Sequence, residues 1–268
     1  MISPSFFTSV INGYLAEPYS SLLNGMLFGI QSKMQQELYL ELKTVGLLHM
    51  IVLSGTNITI LSSMISALTK QFSKKLSILI TALTIILFVL FVRPQAPIVR
   101  AACMSILTMV AIVIGRKRTP LYILFFTFVL QFIFFPQWVS KLSFQLSYAA
   151  TLGIILFAKK EIIRPHSLHG KISQAIRQDL RISLSAQVFT APLIFFHFKE
   201  ISLIAPVSNL LVSFMVAPIM FIGLLTVIFG KISYVLGVVP SYLAYGMLKY
   251  MMIVIELLSR LPFAFIHV

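Results

Sequence analysis

The stretch that decides the fold covers residues 46–63 and reads Gly46-Leu-Leu-His-Met-Ile-Val-Leu-Ser-Gly-Thr-Asn-Ile-Thr-Ile-Leu-Ser-Ser63. It is apolar enough for a membrane helix, yet it carries polar side chains throughout. At about 100° per residue, five polar residues of this stretch and the next turn share one helical face: His49, Thr56, Thr59, Ser63 and Ser66. Such a face favours a wet or protein-lined surface over lipid. Close packing between helices is the alternative, because small polar residues also permit that.

Two further polar residues of the stretch, Ser54 and Asn57, lie off this face. The pair Ser54-Gly55 is also a candidate break in the helix. We expect His49 and Asn57 to have a functional role, because polar groups in hydrocarbon are costly unless they serve a purpose.

Apolar runs continue along the rest of the chain and predict an all-α polytopic membrane protein. A helix needs about 20 residues to cross a bilayer. We place about eight transmembrane or re-entrant helices near residues 46–68, 76–92, 98–115, 120–135, 142–158, 182–198, 201–229 and 234–258. The run 201–229 contains Pro206 and Pro218, so we expect it to be bent or split. These runs make residues 45–268 a multi-pass transmembrane domain.

Residues 1–44 differ from the rest of the chain, because 31–43 are amphipathic and carry four charged side chains: Lys33, Glu37, Glu41 and Lys43. Helices of this kind can lie in the headgroup plane instead of crossing the bilayer. We therefore expect 1–44 to be an interfacial amphipathic segment, with a solvated connecting helix as the alternative.

Composition supports a membrane protein and excludes a soluble enzyme. Hydrophobic residues make up 59% of the 268 residues and charged residues only 10%, far from the balance of a soluble domain. The chain has 21 Lys and Arg against 7 Asp and Glu, a net charge of +14. The single Cys103 excludes an intrachain disulfide.

The positive charge is concentrated in alternate loops, those after the first, third and fifth apolar runs. By the positive-inside rule these loops face the cytoplasm, and every assignment reverses if 46–68 is re-entrant. The basic residues of these loops are Lys74, Lys75, Arg116, Lys117, Arg118, Lys159, Lys160, Arg177 and Arg181. The stretch 174–185 places Arg177 and Arg181 on one face, which is typical of a helix that contacts anionic lipid.

Polar side chains also occur inside later runs. Arg100 lies one turn into the third run, where it either extends to the interface or faces an internal aqueous path and binds phosphate. Gln145 and Ser147 begin the fifth run, and Asn209 stands between Pro206 and Pro218. A polar residue between two prolines is typical of a cavity lining or an unwound segment, and a simple kink is the alternative.

Motifs for catalysis are missing from the sequence. It contains no Gly-rich phosphate loop, no His-Glu-x-x-His and no paired carboxylates within a run. The histidines have no metal-ligand spacing, and no acid near His49 completes a triad. We therefore expect no enzymatic activity, no catalytic residue, no metal site and no cofactor.

Three ordered stretches resemble the membrane domain of the ComEC competence-protein family. The first is Gly46-Leu-Leu-His-Met-Ile-Val-Leu-Ser-Gly-Thr-Asn-Ile; the second runs from Ala96-Pro-Ile-Val-Arg-Ala-Ala-Cys-Met through Gly115-Arg116 to Ser143-Phe-Gln-Leu-Ser-Tyr-Ala-Ala-Thr-Leu-Gly153. The third comprises Ala191-Pro-Leu, Pro206-Val-Ser-Asn-Leu-Leu and Ala217-Pro218.

The chain departs from the family pattern at Thr56-Asn57, where the family commonly has Leu-His, so no histidine role carries over there. Many members also add an OB-like domain and a metallo-β-lactamase-like nuclease domain. We expect this chain to be the membrane domain alone or a reduced relative.

The resemblance implies a channel in the cytoplasmic membrane that passes single-stranded DNA during natural transformation. Together with the polar runs, it indicates a channel lining of His49, Ser54, Gly55, Asn57, Arg100, Gln145, Ser147 and Asn209. A channel requires His49, Arg100, Gln145 and Asn209 to converge on one water-accessible path. The alternatives are a secondary transporter or flippase for a small anionic or lipid-linked substrate, and a membrane scaffold. The expected partners are single-stranded DNA, membrane lipids and separate soluble nuclease, DNA-receptor or helicase proteins, and the chain is compatible with an oligomer.

Overall fold

The computed structural model describes residues 5–30, 34–51, 54–158, 167–261 and 265–267. These ranges contain twelve α-helices, a 3₁₀ turn at Pro136–Trp138 and two short strands. The helices are α1 Ser5–Tyr14, α2 Tyr19–Phe28, α3 Gln36–Thr44, α4 Leu48–Ile51, α5 Gly55–Leu68, α6 Lys74–Val92, α7 Ala96–Val113, α8 Pro120–Phe134, α9 Leu142–Phe157, α10 Leu168–Phe198, α11 Ala205–Ile232 and α12 Tyr234–Ser259. The strands are β1 Glu200–Ser202 and β2 Phe265–His267.

Proline begins three of the long helices, because its fixed φ suits the first helical turn and its missing N–H needs no partner there. Pro97, Pro120 and Pro206 occupy the first or second position of α7, α8 and α11. Pro218 lies inside α11, which nevertheless runs unbroken over 28 residues. Of the two expectations for 201–229, a split at either proline is therefore wrong, because Pro206 starts the helix and Pro218 is accommodated within it; a bend stays a prediction.

Four helices are long and apolar enough to cross a membrane, namely α6, α7, α11 and α12. Three shorter apolar helices, α5, α8 and α9, stand beside them. Large apolar side chains face outward, as Phe125 and Phe134 do on α8 and Leu87 does on α6. In water such surfaces would associate, whereas lipid accommodates them. The prediction of an all-α polytopic membrane protein is confirmed.

The apolar run 46–68 consists of two helices, α4 and α5, and not of one. The 14 residues of α5 span about 21 Å, less than the roughly 30 Å of a hydrocarbon core. The second helix begins at Gly55 with Ser54 as its N-cap residue, where the sequence indicated a break.

The run 182–198 is the second half of α10, a continuous helix of 31 residues. Its first half carries Arg177 and Arg181, which the sequence placed on an interfacial helix. The interfacial helix and the membrane run are thus one element.

The central packing of the molecule is formed by α2, which lies against α11 and α12. From Ser20 to Phe28 every residue of α2 is buried, and the side chains of Leu22, Leu23 and Met26 are fully covered. Sequence reasoning did not predict this burial, which follows from the packing of α11 and α12 against α2. By contrast, α3 buries Leu38 and Leu42 and exposes Glu37, as expected of an amphipathic helix, although Tyr39 and Leu40 are exposed as well. The interfacial position of 1–44 as a segment stays a prediction.

The strands β1 and β2 pair antiparallel, with Ile201 opposite Ile266. Sequence reasoning did not predict them. Since β1 follows α10 and β2 follows α12, their pairing brings the C-terminal ends of these two helices to one side of the molecule.

Candidate functional site

The N-terminal end of α5 is the centre of the candidate site. Ser54 has an extended backbone, and its hydroxyl makes no capping bond to the first turn of α5. Instead, Ser54 Oγ donates to Asn57 Oδ1 at 3.2 Å. The first backbone N–H groups of a helix have no partner within the helix, so the start of α5 presents donors without a side-chain cap.

Asn57 serves packing between helices. Its side chain is 1% exposed, and its Nδ2 donates to the carbonyl oxygen of Met26 at 2.8 Å. Met26 lies in the last turn of α2, where carbonyls lack helical partners, so Asn57 satisfies one of them. With Oδ1 accepting from Ser54, the amide is hydrogen-bonded at both ends, and a place for Asn57 in a channel lining stays a prediction.

Arg100 lies in α7 and is 9% exposed. Its Nη1 donates to Thr151 Oγ1 of α9 and lies 3.7 Å from Met104 Sδ. Its Nε is buried without a hydrogen-bond partner. A buried guanidinium without full hydrogen bonding is costly, and both of these partners are uncharged.

The guanidinium of Arg100 rests directly on Gly55. A Cβ added to Gly55 would lie 2.5 Å from Arg100 Nη2 and 3.2 Å from Ala101 Cβ. Glycine at this position therefore permits the close approach of the two helices. Ser54, Gly55 and Arg100, three residues predicted from sequence to line one path, are brought together here.

The sequence offers no nearby acid to balance this arginine. No Asp or Glu occurs between Glu41 and Glu161, a range that contains α5 to α9 entirely. The positive charge of Arg100 and the positive end of the α5 dipole therefore share one buried place.

A second hydrogen-bonded group holds α7, α8 and α9 together beside Arg100. Tyr148 Oη donates to Gln131 Oε1 at 2.8 Å, and Gln131 Nε2 donates to the carbonyl oxygen of Ala96 at 3.2 Å. Gln131 is 2% exposed, and Ala96 is the first residue of α7. This group keeps the first turn of α7, and therefore Arg100, in position.

Three other predicted residues have separate surroundings. His49 is exposed, with Nδ1 3.0 Å from the carbonyl oxygen of Gly46. Gln145 Nε2 donates to the carbonyl oxygen of Val139 at 3.3 Å, at the start of its own helix. Ser147 is half-buried, and its carbonyl oxygen accepts from Thr151 Oγ1 at 2.9 Å. Of these three, Ser147 is linked to Arg100, through Thr151.

Asn209 belongs to a polar seam between α10 and α11. Its Nδ2 donates to Ser183 Oγ at 3.0 Å, and one turn away Ser213 Oγ donates to Asp179 Oδ2 at 3.4 Å. Asn209 Oδ1 is buried without a partner. The expected convergence of Asn209 and Gln145 with Arg100 is thus not what their hydrogen bonds show, since each side chain bonds elsewhere.

The polar face predicted on the first apolar run is exposed at the surface of the folded protein. His49, Thr56, Thr59, Ser63 and Ser66 are all exposed. Two of these hydroxyls are satisfied within the helix, since Thr59 donates to the Gly55 carbonyl at 3.1 Å and Ser63 to the Ile60 carbonyl at 2.7 Å. Such internal bonds lower the cost of placing hydroxyls on a membrane helix.

The basic residues lie at helix ends and connections. Lys74 and Lys75 begin α6, and Arg116, Lys117 and Arg118 are exposed in the connection before α8. Arg177 is exposed and Arg181 half-buried on the first half of α10. Lys159 and Lys160 lie outside the described residues.

Sequence reasoning missed a polar clamp at the turn between α3 and α4. Ser208 Oγ donates to the carbonyl oxygen of Val45 at 2.5 Å, and Ser202 Oγ donates to that of Thr44 at 2.6 Å. Gly46 has φ +73°, and a Cβ there would lie 2.6 Å from Ala205 Cβ. This turn therefore packs directly on the start of α11. Gln131 was also missed, although an amide in the otherwise apolar α8 was a signal that could have found it.

In the described ranges, no three His, Cys, Asp or Glu side chains gather where they could hold a metal ion. The expectation that this chain needs no metal or cofactor stays a prediction.

The sequence profile of the family described as Competence protein matches residues 26–268. A similar protein of Bacillus subtilis (strain 168), ComE operon protein 3, is 22% identical over 210 residues, covering 77% of this chain and 26% of that protein. A protein of Aquifex aeolicus (strain VF5), described as uncharacterized, is 32% identical over 166 residues, covering 62% of this chain and 36% of that protein. The chain thus matches about a third or less of the length of either relative. No solved structure matches.

Proposed function

The chain belongs to the Competence protein family, and from this premise we propose that it forms a membrane path for single-stranded DNA during natural transformation. The resemblance to the ComEC competence proteins read from its motifs is confirmed by the family match over residues 26–268 and by the similarity to ComE operon protein 3. Family membership supports a role in competence for DNA uptake. The finer assignment of a channel for single strands is our proposal.

The observation that carries the proposal is the buried, incompletely bonded Arg100 against the start of α5. A buried guanidinium with incomplete hydrogen bonding destabilises a helix bundle that only packs in lipid, whereas a path for polyanions requires positive groups. Polar and ionisable residues inside membrane proteins usually mark substrate or ion pathways. Arginine is the residue best suited to phosphate, because its planar fork matches phosphate oxygens.

The basic helix ends and connections supply a second feature. We propose that Lys74, Lys75 and the 116–118 connection face the cytoplasm together with the first half of α10, and that they attract phosphates emerging from the path. Strands without sequence preference are usually held by positive grooves that follow the backbone. The protein would then be a multi-pass protein of the cytoplasmic membrane that performs no chemistry on DNA. Separate soluble nuclease, DNA-receptor or helicase proteins would be its partners.

The experiment that tests the proposal is uptake of fluorescently labelled DNA in cells with and without the gene for this chain. We expect deletion to abolish uptake and the wild-type gene to restore it. Arg100→Ala should restore membrane expression but not uptake. The matched control is Arg93→Ala, an exposed arginine in the connection before α7, which should restore uptake.

A liposome experiment separates the proposal from the transporter alternative. Liposomes that contain the purified chain should release an enclosed labelled oligonucleotide if the chain forms a path for DNA. Release of a small organic anion with retention of the oligonucleotide would contradict the channel and favour a transporter.

A further inference from the structure

We propose that Arg100 and the N-terminal end of α5 form a binding site for a single phosphate group. The proposal deepens the path described above by naming the group that is recognised and the place where it binds. It concerns anion binding by the purified chain, which is measured without DNA uptake.

Two positive groups meet where Arg100 contacts the start of α5. The N-terminal end of a helix carries roughly half a positive charge, and α5 is 14 residues long. The guanidinium of Arg100 lies against Gly55, the first residue of that helix. Two positive groups in one buried place repel each other, and the sequence supplies no acid between Glu41 and Glu161. An anion from outside the chain would balance both.

Arg100 and the start of α5 have hydrogen-bond donors that lack a charged acceptor. Arg100 Nε is buried without a partner, and its Nη1 bonds are made to the neutral Thr151 and Met104. The hydroxyl of Ser54 does not cap α5. Arg100 is 9% exposed, has a free Nε–H and lies against a helix start without a side-chain cap, so donors of two helices are neighbours and neither Nη1 partner is charged.

The donors at this place suit a phosphate group. Backbone N–H groups at a helix N-terminus bind phosphate well, and a guanidinium binds two phosphate oxygens side by side. In membrane transporters, the starts of broken helices point at anionic substrate groups in the same way. The break between α4 and α5 supplies such a start. The phosphodiester of a DNA backbone and that of a phospholipid headgroup share this chemistry.

The test uses the full chain in dodecyl maltoside micelles, whose headgroups carry no phosphate, and a short fluorescein-labelled oligothymidylate, with binding followed by fluorescence anisotropy. Charge-assisted hydrogen bonds are strong enough that Arg100→Gln should weaken binding by about tenfold or more. Arg93→Gln, which removes an exposed arginine just before the same helix, should change affinity by less than about twofold. Equal affinity of the wild type and both variants would overturn the proposal.

A second variant covers the case in which Arg100→Gln fails to fold. Gly55→Ala places a Cβ 2.5 Å from Nη2, the far end of a flexible side chain, and 3.2 Å from Ala101 Cβ, so the guanidinium is displaced and α5 shifts slightly against α7. We expect Gly55→Ala to fold with a somewhat lower melting temperature and to bind the oligonucleotide several-fold more weakly at a temperature where it is fully folded. Gly246→Ala, with no atom within 4 Å of the added Cβ, is the control. Wild-type affinity in Gly55→Ala would count against the site.

Two further arms identify the source of the phosphate. If the site takes free or nucleic-acid phosphate, inorganic phosphate competes with the oligonucleotide for the wild type, and phosphatidylglycerol added to the micelles does not. If the site takes a lipid headgroup, phosphatidylglycerol weakens oligonucleotide binding by the wild type but not by Arg100→Gln. Either result supports a phosphate site and assigns its occupant. Competition by neither would overturn it.

Failure of this inference and failure of the proposed function remain distinguishable. If the Arg100 variants bind oligonucleotide like the wild type while gene deletion abolishes uptake, the phosphate site is wrong and the DNA path stands. If Arg100→Gln loses binding while gene deletion leaves uptake intact, the site stands and the path is wrong.

Discussion

The part of the molecule built from α1–α4, α11 and α12 and the part built from α5–α9 are held together by different means. The first shares one continuous apolar cluster, in which Leu22, Met26, Val212 and Leu248 are nearly or fully covered. The second has two small clusters, around Ile98 and around Trp138. Between them lie the Arg100 and Gln131 hydrogen bonds. The first part, the scaffold, is therefore held mainly by apolar contact, and the second, the polar part, depends more on hydrogen bonds between its helices.

The largest effect is expected from breaking the scaffold. Leu22→Ala removes a fully buried side chain of α2 and should lower the free energy of unfolding by about 2 to 5 kcal/mol, through lost contacts and the cavity left behind. Thermal unfolding in detergent measures this. Leu243→Ala, at an outward-facing position of α12, should leave the melting temperature nearly unchanged. Equal shifts in the two variants would show that α2 is not the centre of the scaffold.

A smaller effect is expected at the junction between the two parts. Asn57→Ala leaves the Met26 carbonyl of α2 without its partner and should cost about 1 to 3 kcal/mol of stability. The folded fraction should bind oligonucleotide like the wild type, because Asn57 packs α5 on α2 and does not reach the site. Thr56→Ala, at the exposed neighbouring position, is the control. If Asn57→Ala lost oligonucleotide binding while keeping the stability of the wild type, Asn57 would be part of the DNA path.

In the polar part, Thr151→Val tests how Arg100 is held. The variant keeps the shape of the side chain and removes the hydroxyl that accepts from Nη1. Loss of one hydrogen bond to a charged group changes a binding constant by roughly fivefold or more, and we expect oligonucleotide affinity to fall by about that factor. Thr108→Val, on the same arginine helix but bonded to the Met104 carbonyl, should have no effect on affinity. Similar losses in both would indicate a general weakening of the bundle.

The smallest effect concerns charge at the edge of the scaffold. Burial raises the pKa of Glu41 above its usual range, the charges of Glu256 and Glu37 raise it further, and Arg260 opposes them. An acid whose pKa is raised by folding favours the folded state below its unfolded pKa, near 4.3, and this contribution is lost as the pH rises through the folded pKa. Glu41→Gln should therefore raise the melting temperature slightly at pH 7.

The pH dependence of this variant is its test. The difference between Glu41→Gln and wild type should disappear near pH 4, where the wild-type carboxyl is protonated as well. Glu37→Gln, on the exposed side of α3, should give a smaller increase at pH 7, since it removes only a repulsive neighbour of Glu41. A difference that is the same at both pH values would show that the charge of Glu41 is not the cause.

Much of the fold follows from local patterns. The apolar runs predict the membrane helices, and Ser54-Gly55 predicts the start of α5, because hydropathy and helix-breaking residues act over a few positions. The contact of Arg100 with Gly55 is less accessible, since it depends on how α5 and α7 cross. From the sequence, Arg100 either extends to the interface or faces an internal path, and nothing there indicates Gly55 as its neighbour.

Other features join residues far apart in the chain. Ser208 and Val45 are separated by 163 positions, and Gln131 and Ala96 by 35. No period of 3.6 residues encodes such pairs. The burial of α2 was missed for the same reason, because a short segment reveals its surroundings only when α11 and α12 are placed against it.

The unbroken length of α10 has a mechanical consequence. Its 31 residues extend over about 46 Å, well beyond the roughly 30 Å of a hydrocarbon core. A helix of this length in a bilayer must tilt or project from the hydrocarbon core at one end. Its first turns carry the exposed Arg177 and are the end suited to water. The contacts of Ser183 with Asn209 and of Asp179 with Ser213, near its middle, fix its position against α11.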